Sequence, residues 1–235
     1  MNTQTNPQEP ETHHIENHGT IQLVQAYAND LTVVNAARVS YGKHTNTLTE
    51  PDIKLIHYLM KNGHGTPFEH NMLTYKITCP IFIAREWFRH RTASYNEISG
   101  RYTQLPQTKW TPQPHQLRTQ TGKPGHYQYQ PANPTQAQQA HQIIQNINQQ
   151  TQQAYQQLLN LGIAKEHARI ILPLTQTTQF IYTTNARSLL NLISLRNHPT
   201  AQHEIQQYAK TLEHTLHQHM PHTTQAFIQN GRKAP

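Results

Sequence analysis

Between Thr135 and Leu159 the chain is rich in glutamine, yet Ala140, Ile144, Ile147, Thr151, Ala154 and Leu158 recur at intervals that average close to half a heptad. A disordered polar tract keeps no such register, so the spacing predicts one long amphipathic helix. Around it, Ile21–Tyr27, Asn71–Cys79 and Thr175–Thr184 carry β-formers and read as strands. Helical spacing predicts helices over Asp30–Tyr41, Asp52–Lys61, Ile81–His90, Gly162–Leu172, Asn185–Arg196 and His203–Leu216. Asn62-Gly63 and Pro173 act as stops. Thr103–Pro134 is proline-rich and reads as a long surface loop with room for short strands. Residues 1–19 are polar and are expected to form a mobile tail ahead of one domain over residues 20–235. Strands and helices do not alternate as βαβ units, so the fold class is α+β and helix-rich.

Only 13% of the residues are charged, and the net charge is +7 with histidine neutral. A basic balance favours anionic partners without choosing among them. The single cysteine, Cys79, excludes an intramolecular disulfide and sits in the apolar run Ile77–Ile81, as a buried structural thiol would. No apolar run is long enough for a membrane helix, and the polar N-terminus does not resemble a signal peptide. The expectation is a soluble cytoplasmic protein with no membrane partner. His13 and His14 are expected to be solvated, and no metal site is expected.

The chemistry concentrates in one place. Arg89, His90, Arg91 and Arg101 put three permanent cations and one titratable ring within thirteen positions. Guanidinium forks match phosphate oxygens two at a time, and Gly100 permits close backbone approach. Arg89 and Arg91 fall at the end of the predicted helix and point to different sides, so they can serve two ligands. The residues alone describe a cradle for nucleotide phosphates, or else a solvated basic helix end.

Arg89-His90-Arg91 followed after seven residues by Ser99, and then by Arg101 and Tyr102, resembles the signature of the flavin-dependent thymidylate synthases. Gly63–His70 resembles that family's preceding loop, and Ala168–Pro173 a later segment. Asn185–Leu189, Leu195-Arg196 and Ala201–Ile205 follow in the family's order. The resemblance implies a helix-rich flavin-dependent thymidylate synthase-like domain with a small antiparallel-type sheet, assembled as a homotetramer whose active sites are shared between subunits. It implies conversion of dUMP to dTMP, with methylenetetrahydrofolate as carbon donor and NADPH-reduced FAD as hydride source. Carried over by position, Thr66, Arg89, His90, Arg91, Glu97, Asn185, Arg187 and Asn191 are expected to contact FAD, with His64 near flavin and folate. Glu86, Arg89, Glu97, Ile98, Ser99, Gly100, Arg101, Arg169 and Arg196 are expected to contact dUMP. Arg196 matches the family arginine that stabilises the N3/O4 anion of uracil and so enriches C5 with electrons; it is the expected catalytic residue.

The residues agree with this in part. Arg187, Asn191 and Ser194 fall on one polar stripe of their predicted helix, as a ligand wall or a solvated face would. Arg196 instead continues the apolar stripe of Leu189, Leu192 and Ile193, so it must be paired or reach solvent. Three positions depart from the family pattern. Glu86 stands where glutamine is usual, His203 where tryptophan is usual, and Thr200 where some relatives have histidine. Two other readings compete. A nucleic-acid-binding protein would suit the basic charge, but along the sequence basic and aromatic residues form no groove-reading motif, so no nucleic-acid partner is expected. A flavin-binding homologue impaired in catalysis would suit Glu86 and Thr200.

Overall fold

The strands Met72–Pro80 and Thr177–Asn185 bury every second side chain, as a sheet with one covered face must. The computed structural model describes residues 11–235 and divides into two compact units. The first comprises the chain up to Cys79, Ile83–Glu97 and Gln179–Pro235; the second comprises Pro80–Phe82 and Ile98–Thr178.

In chain order the elements up to the signature are β1 (Thr12–Ile15), β2 (Gly19–Tyr27), α1 (Asp30–Arg38), α2 (Glu50–Lys61), β3 (Met72–Pro80), α3 (Ile81–Trp87) and β4 (Ser94–Glu97). Then come β5 (Arg118–Lys123), β6 (His126–Pro131), α4 (Pro134–Asn160) and α5 (Lys165–Ala168). The chain continues with β7 (Thr177–Asn185), α6 (Ala186–Arg196), α7 (His203–His219) and α8 (Pro221–Gln229).

One sheet has the order β1-β2-β3-β7-β4, and its pairs β1–β2, β2–β3 and β4–β7 are antiparallel. Leu73, Tyr75, Ile77 and Cys79 of β3 alternate into the core, and so do Phe180, Tyr182 and Thr184 of β7. Trp87 at the end of α3 sits at the centre of this core. Its ring meets Phe180, Tyr182 and Tyr208 edge-on, with centroids 5.6, 5.6 and 5.7 Å away. Each such pair adds about 0.5–1.5 kcal/mol beyond the apolar area it buries. One side chain thus ties α3, β7 and α7 together.

The second unit is built on α4. Asn133 caps its first turn by accepting from Gln136 N at 2.9 Å. The predicted apolar stripe is half-buried apart from Ile147, which is exposed, while Ala137, Asn148 and Tyr155 take the buried positions. Asn148 is satisfied there, donating to Trp110 O at 3.0 Å and Thr111 Oγ1 at 2.9 Å and accepting from Thr175 Oγ1 at 2.6 Å. A buried amide that makes its bonds costs little. β5 and β6 pair only with each other, as a two-stranded ribbon inside the predicted loop.

Several boundaries differ from expectation. Residues 1–10 lie outside the described residues, but Thr12–Ile15, expected in a mobile tail, pair with β2 as a strand. They are held because Tyr208 Oη donates to His18 O at 2.8 Å. The helix expected over Gly162–Leu172 shrinks to α5 and a 3-10 turn at Arg169–Ile171. Gly162, at φ +80°, ends α4 in the left-handed conformation, so the next helix cannot start there. α3 stops at Trp87, which leaves Arg89-His90-Arg91 beyond the helix. Side chains reach its last carbonyls: Tyr95 Oη donates to Trp87 O at 3.4 Å, and Arg196 Nη2 to Glu86 O at 3.1 Å.

α8 was not visible as a periodic segment, and its N-terminus has no cap of its own. Asp30, the buried first residue of α1, supplies one. Its carboxylate accepts from His222 N and Thr223 N, both at 2.9 Å, and from Thr223 Oγ1 at 2.6 Å. Free N–H groups and the helix dipole both favour an anion there. Asp30→Ala would strand these buried donors and is expected to cost about 2–4 kcal/mol of stability in urea unfolding. Asp30→Asn, which keeps one acceptor, is expected to cost less. A loss under about 0.5 kcal/mol for the alanine variant, the range of neutral surface changes, would show that water replaces the cap.

Candidate active site

α6 ends on Arg196, and the guanidinium has three protein partners. Nη1 donates to Glu86 Oε2 at 3.1 Å, Nη2 to Glu86 O at 3.1 Å, and Nε to His90 Nε2 at 3.0 Å. The arginine and the carboxylate are both half-buried. Arg196 therefore pairs rather than reaching solvent, and its partners lie on and just after α3. For His90 Nε2 to accept, the ring must be neutral with its proton on Nδ1. Burial, and then the Arg196 charge, push the His90 ring down to about 4, so it stays neutral near pH 7. Burial raises the Glu86 carboxyl above the ordinary carboxylate range; Arg196 opposes the rise and Glu204 adds to it.

Beside this cluster opens a cavity of about 720 Å³, walled by Arg89, His90, Arg91, Asn185, Arg187 and Asn191 together with Arg196. The α6 wall follows from helix geometry. Arg187 and Asn191 are one turn apart on the exposed side, while Leu189, Leu192 and Ile193 are buried on the other. Asn185 also caps α6, accepting from Ser188 N at 2.8 Å. Arg187 is held from two sides: Nη1 donates to Glu69 Oε1 at 2.5 Å and Nε to Pro235 O at 3.1 Å. Gly65 makes room for it, since a Cβ there would lie 2.3 Å from Arg187 Nε.

The expected cofactor residues do not all meet at this cavity. His64 and Thr66 line another one, of about 750 Å³, with Arg38, Tyr41 and Tyr58. There His64 stacks on Tyr58, centroids 5.8 Å apart. Glu97 closes β4 opposite Phe180. His198 turns to Thr200 Oγ1 at 2.7 Å. In the second unit, Ser99 Oγ accepts from Arg101 N at 3.2 Å, and Arg101 Nε donates to Glu166 Oε2 at 3.1 Å. Gly100 is buried, and a Cβ on it would meet Arg169 at 3.0 Å; Ile98 is half-buried. Cys79 is fully buried, and burial, with Glu97 adding to it, pushes its thiol far up, away from thiolate chemistry.

The sequence reading did not single out Glu69 as a site residue, although it stands in the recognised Gly63–His70 segment. Its pairing with Arg187 is a contact across 118 positions. Ser188 and Thr92 also line the first cavity. Ser188 was legible as the third residue after the asparagine cap.

The family described as thymidylate synthase complementing protein matches residues 22–222. The flavin-dependent thymidylate synthase of Thermosipho africanus is 41% identical over 215 residues, covering 92% of this chain and 93% of that protein. That of Tropheryma whipplei is 39% identical over 227 residues, covering 92% and 95%. Among solved structures, the UMP/dUMP methylase PolB from Streptomyces cacaoi, bound with 5-Br UMP, superposes with a TM-score of 0.86 at 37% identity, over 94% of this chain and 98% of that one. Signature, fold and matched length agree, and the chain belongs to the flavin-dependent thymidylate synthase family.

Proposed function

We propose that this protein methylates dUMP to dTMP, taking the carbon from methylenetetrahydrofolate and the hydride from FAD reduced by NADPH. The observation that carries the reading is the oriented Arg196 guanidinium beside an arginine-lined cavity. Arg89, Arg91 and Arg187 offer guanidinium donors on one wall system, a set suited to a diphosphate, and Asn191 adds an amide. The residues present therefore fit FAD, which supplies the hydride when bound.

Arg89 and Arg91 bind phosphate, Arg187 is fixed for the same task by Glu69, and His90 and Glu86 orient Arg196. Arg196 keeps its charge at every working pH, so it can hold the anion developing across N3 and O4 of uracil without moving a proton. Activation by a cysteine thiolate is disfavoured, because the only thiol is buried. Ser99, Gly100, Arg101 and Arg169 bind dUMP in this reading, with neighbouring subunits of a homotetramer completing each site. A cytoplasmic setting belongs to the same proposal. Among the described residues no helix is long and apolar enough to cross a membrane.

Glu86 bears on whether the protein is active or impaired. A carboxylate partly neutralises Arg196, whereas glutamine would hold it without charge. Because Glu86 is held in place and Arg196 remains cationic, the active reading is favoured.

Three outcomes are expected. Arg196→Ala should fold and keep flavin, yet lose on the order of 10²-fold or more in single-turnover oxidation of reduced flavin with dUMP and methylenetetrahydrofolate present. Arg196→Lys should recover only part of this, lacking the planar fork. Near-normal turnover by the alanine variant would make Arg196 structural, and a colourless protein that FAD cannot reconstitute would refute the flavin reading. Glu86→Gln is expected to turn over at least as fast as the unmutated protein; a tenfold loss would mean the carboxylate itself takes part. Finally, the lowered His90 value means the unfolded chain binds the extra proton first. Its contribution to stability should be complete above about pH 6.5 and fall as pH drops toward about 4. His90→Gln, which can still accept from Arg196, should remove that slope in denaturant titrations across the window, and parallel curves for the two proteins would contradict the assignment.

A further inference from the structure

Every residue of β5 and β6 is exposed, so this ribbon is not held by burial in a core. Its register pairs Gln120 with Tyr129 and Gly122 with Tyr127. Paired residues share a face, so Arg118, Gln120, Tyr127 and Tyr129 lie on one side, and Thr119, Thr121, Gln128 and Gln130 on the other. Tyr127 and Tyr129 are 43% and 53% exposed, and Arg118 stands 5.1 Å over the Tyr129 ring. Two tyrosines two positions apart on a strand sit about 7 Å apart on the same face. Stacking by arginine on one of them limits its rotation and concentrates positive charge beside both rings.

The surroundings have one sign. From Ile98 to Lys165 the sequence contains no aspartate or glutamate, and the second unit holds six lysines and arginines against Glu166, which is paired with Arg101. Lys123 and His126 flank the turn at the tip of the ribbon. Along the sequence these residues show no groove-reading motif; pairing of the strands gathers Arg118, Tyr127 and Tyr129 onto one face, with Lys123 and His126 at the tip on the other.

We propose that the β5–β6 ribbon binds single-stranded nucleic acid. The tyrosine rings offer stacking faces for unpaired bases; Arg118 beside them meets the phosphates, and Lys123 at the tip of the ribbon adds positive charge. An acidic peptide would use the charge and leave the flat rings idle, and a base-paired duplex hides the base faces that the rings would stack on. The proposal is independent of the flavin chemistry, because neither tyrosine belongs to the cavities described above.

The test is fluorescence anisotropy of the flavin-loaded protein with labelled oligo(U) and oligo(dT) of about twelve nucleotides, and with a duplex of the same length, from about 50 to about 200 mM salt. Either single strand should bind more tightly than the duplex, and affinity should fall as salt rises. Tyr127→Ala/Tyr129→Ala should weaken single-strand binding by about tenfold or more, with unchanged circular dichroism, flavin content and dTMP formation. Arg118→Ala/Lys123→Ala should flatten the salt dependence. The proposal is overturned if no single strand binds at low salt, if the duplex binds as tightly, if the tyrosine variant binds like the unmutated protein, or if polyglutamate competes as well as oligo(U).

Discussion

The guanidinium of Arg196 is the constraint around which the site is arranged. A half-buried permanent charge at the end of an apolar helix must find partners, because an uncompensated buried charge costs several kcal/mol. It finds them in Glu86 and His90, and in doing so it shapes both. The helix carrying Glu86 ends where Arg196 takes the Glu86 carbonyl, and the His90 ring is kept neutral partly by the same charge. Arg89 and Arg91 are then released from the helix to face the cavity. One ion pair thus joins the end of α6 to the end of α3 and sets where the signature arginines stand.

The scaffold explains why this pairing can be held. Trp87, one residue beyond Glu86, is gripped by Phe180, Tyr182 and Tyr208, so the end of α3 is fixed to β7 and α7. β7 runs directly into α6 through Asn185, which both ends the strand and caps the helix. The packed core and the cavity wall are consecutive pieces of one chain. A disturbance of the aromatic cluster would therefore be felt at Arg196 through two elements at once.

Local signals in the sequence were strong where one periodicity ruled. α2, α6 and α7 follow their apolar stripes closely, α4 forms where its period predicts a helix, and β2, β3 and β7 lie where β-formers cluster. The misjudged places lacked a local cause. β1 is polar and becomes a strand only because β2 and Tyr208 hold it. α8 is capped by Asp30, about 190 positions away, and no window along the sequence contains that contact. Ile147 and Asn148 exchange exposure because three hydrogen-bond partners for an amide happen to face Asn148.

By itself, the sequence determined the class of the fold and the family, because signature spacing and helical stripes are local properties of the chain. Only the tertiary structure decided their partners. It gave Arg196 to Glu86 and His90, gave Arg187 to Glu69, and set His64 and Thr66 against a cavity other than the one walled by Arg89 and Arg187. It also turned an apparent loop into a ribbon with tyrosine and arginine on one face. The physical reason is the same in each case: a charge or a ring is satisfied by whatever the folded chain brings within about 3–6 Å, and that distance bears no relation to separation along the sequence.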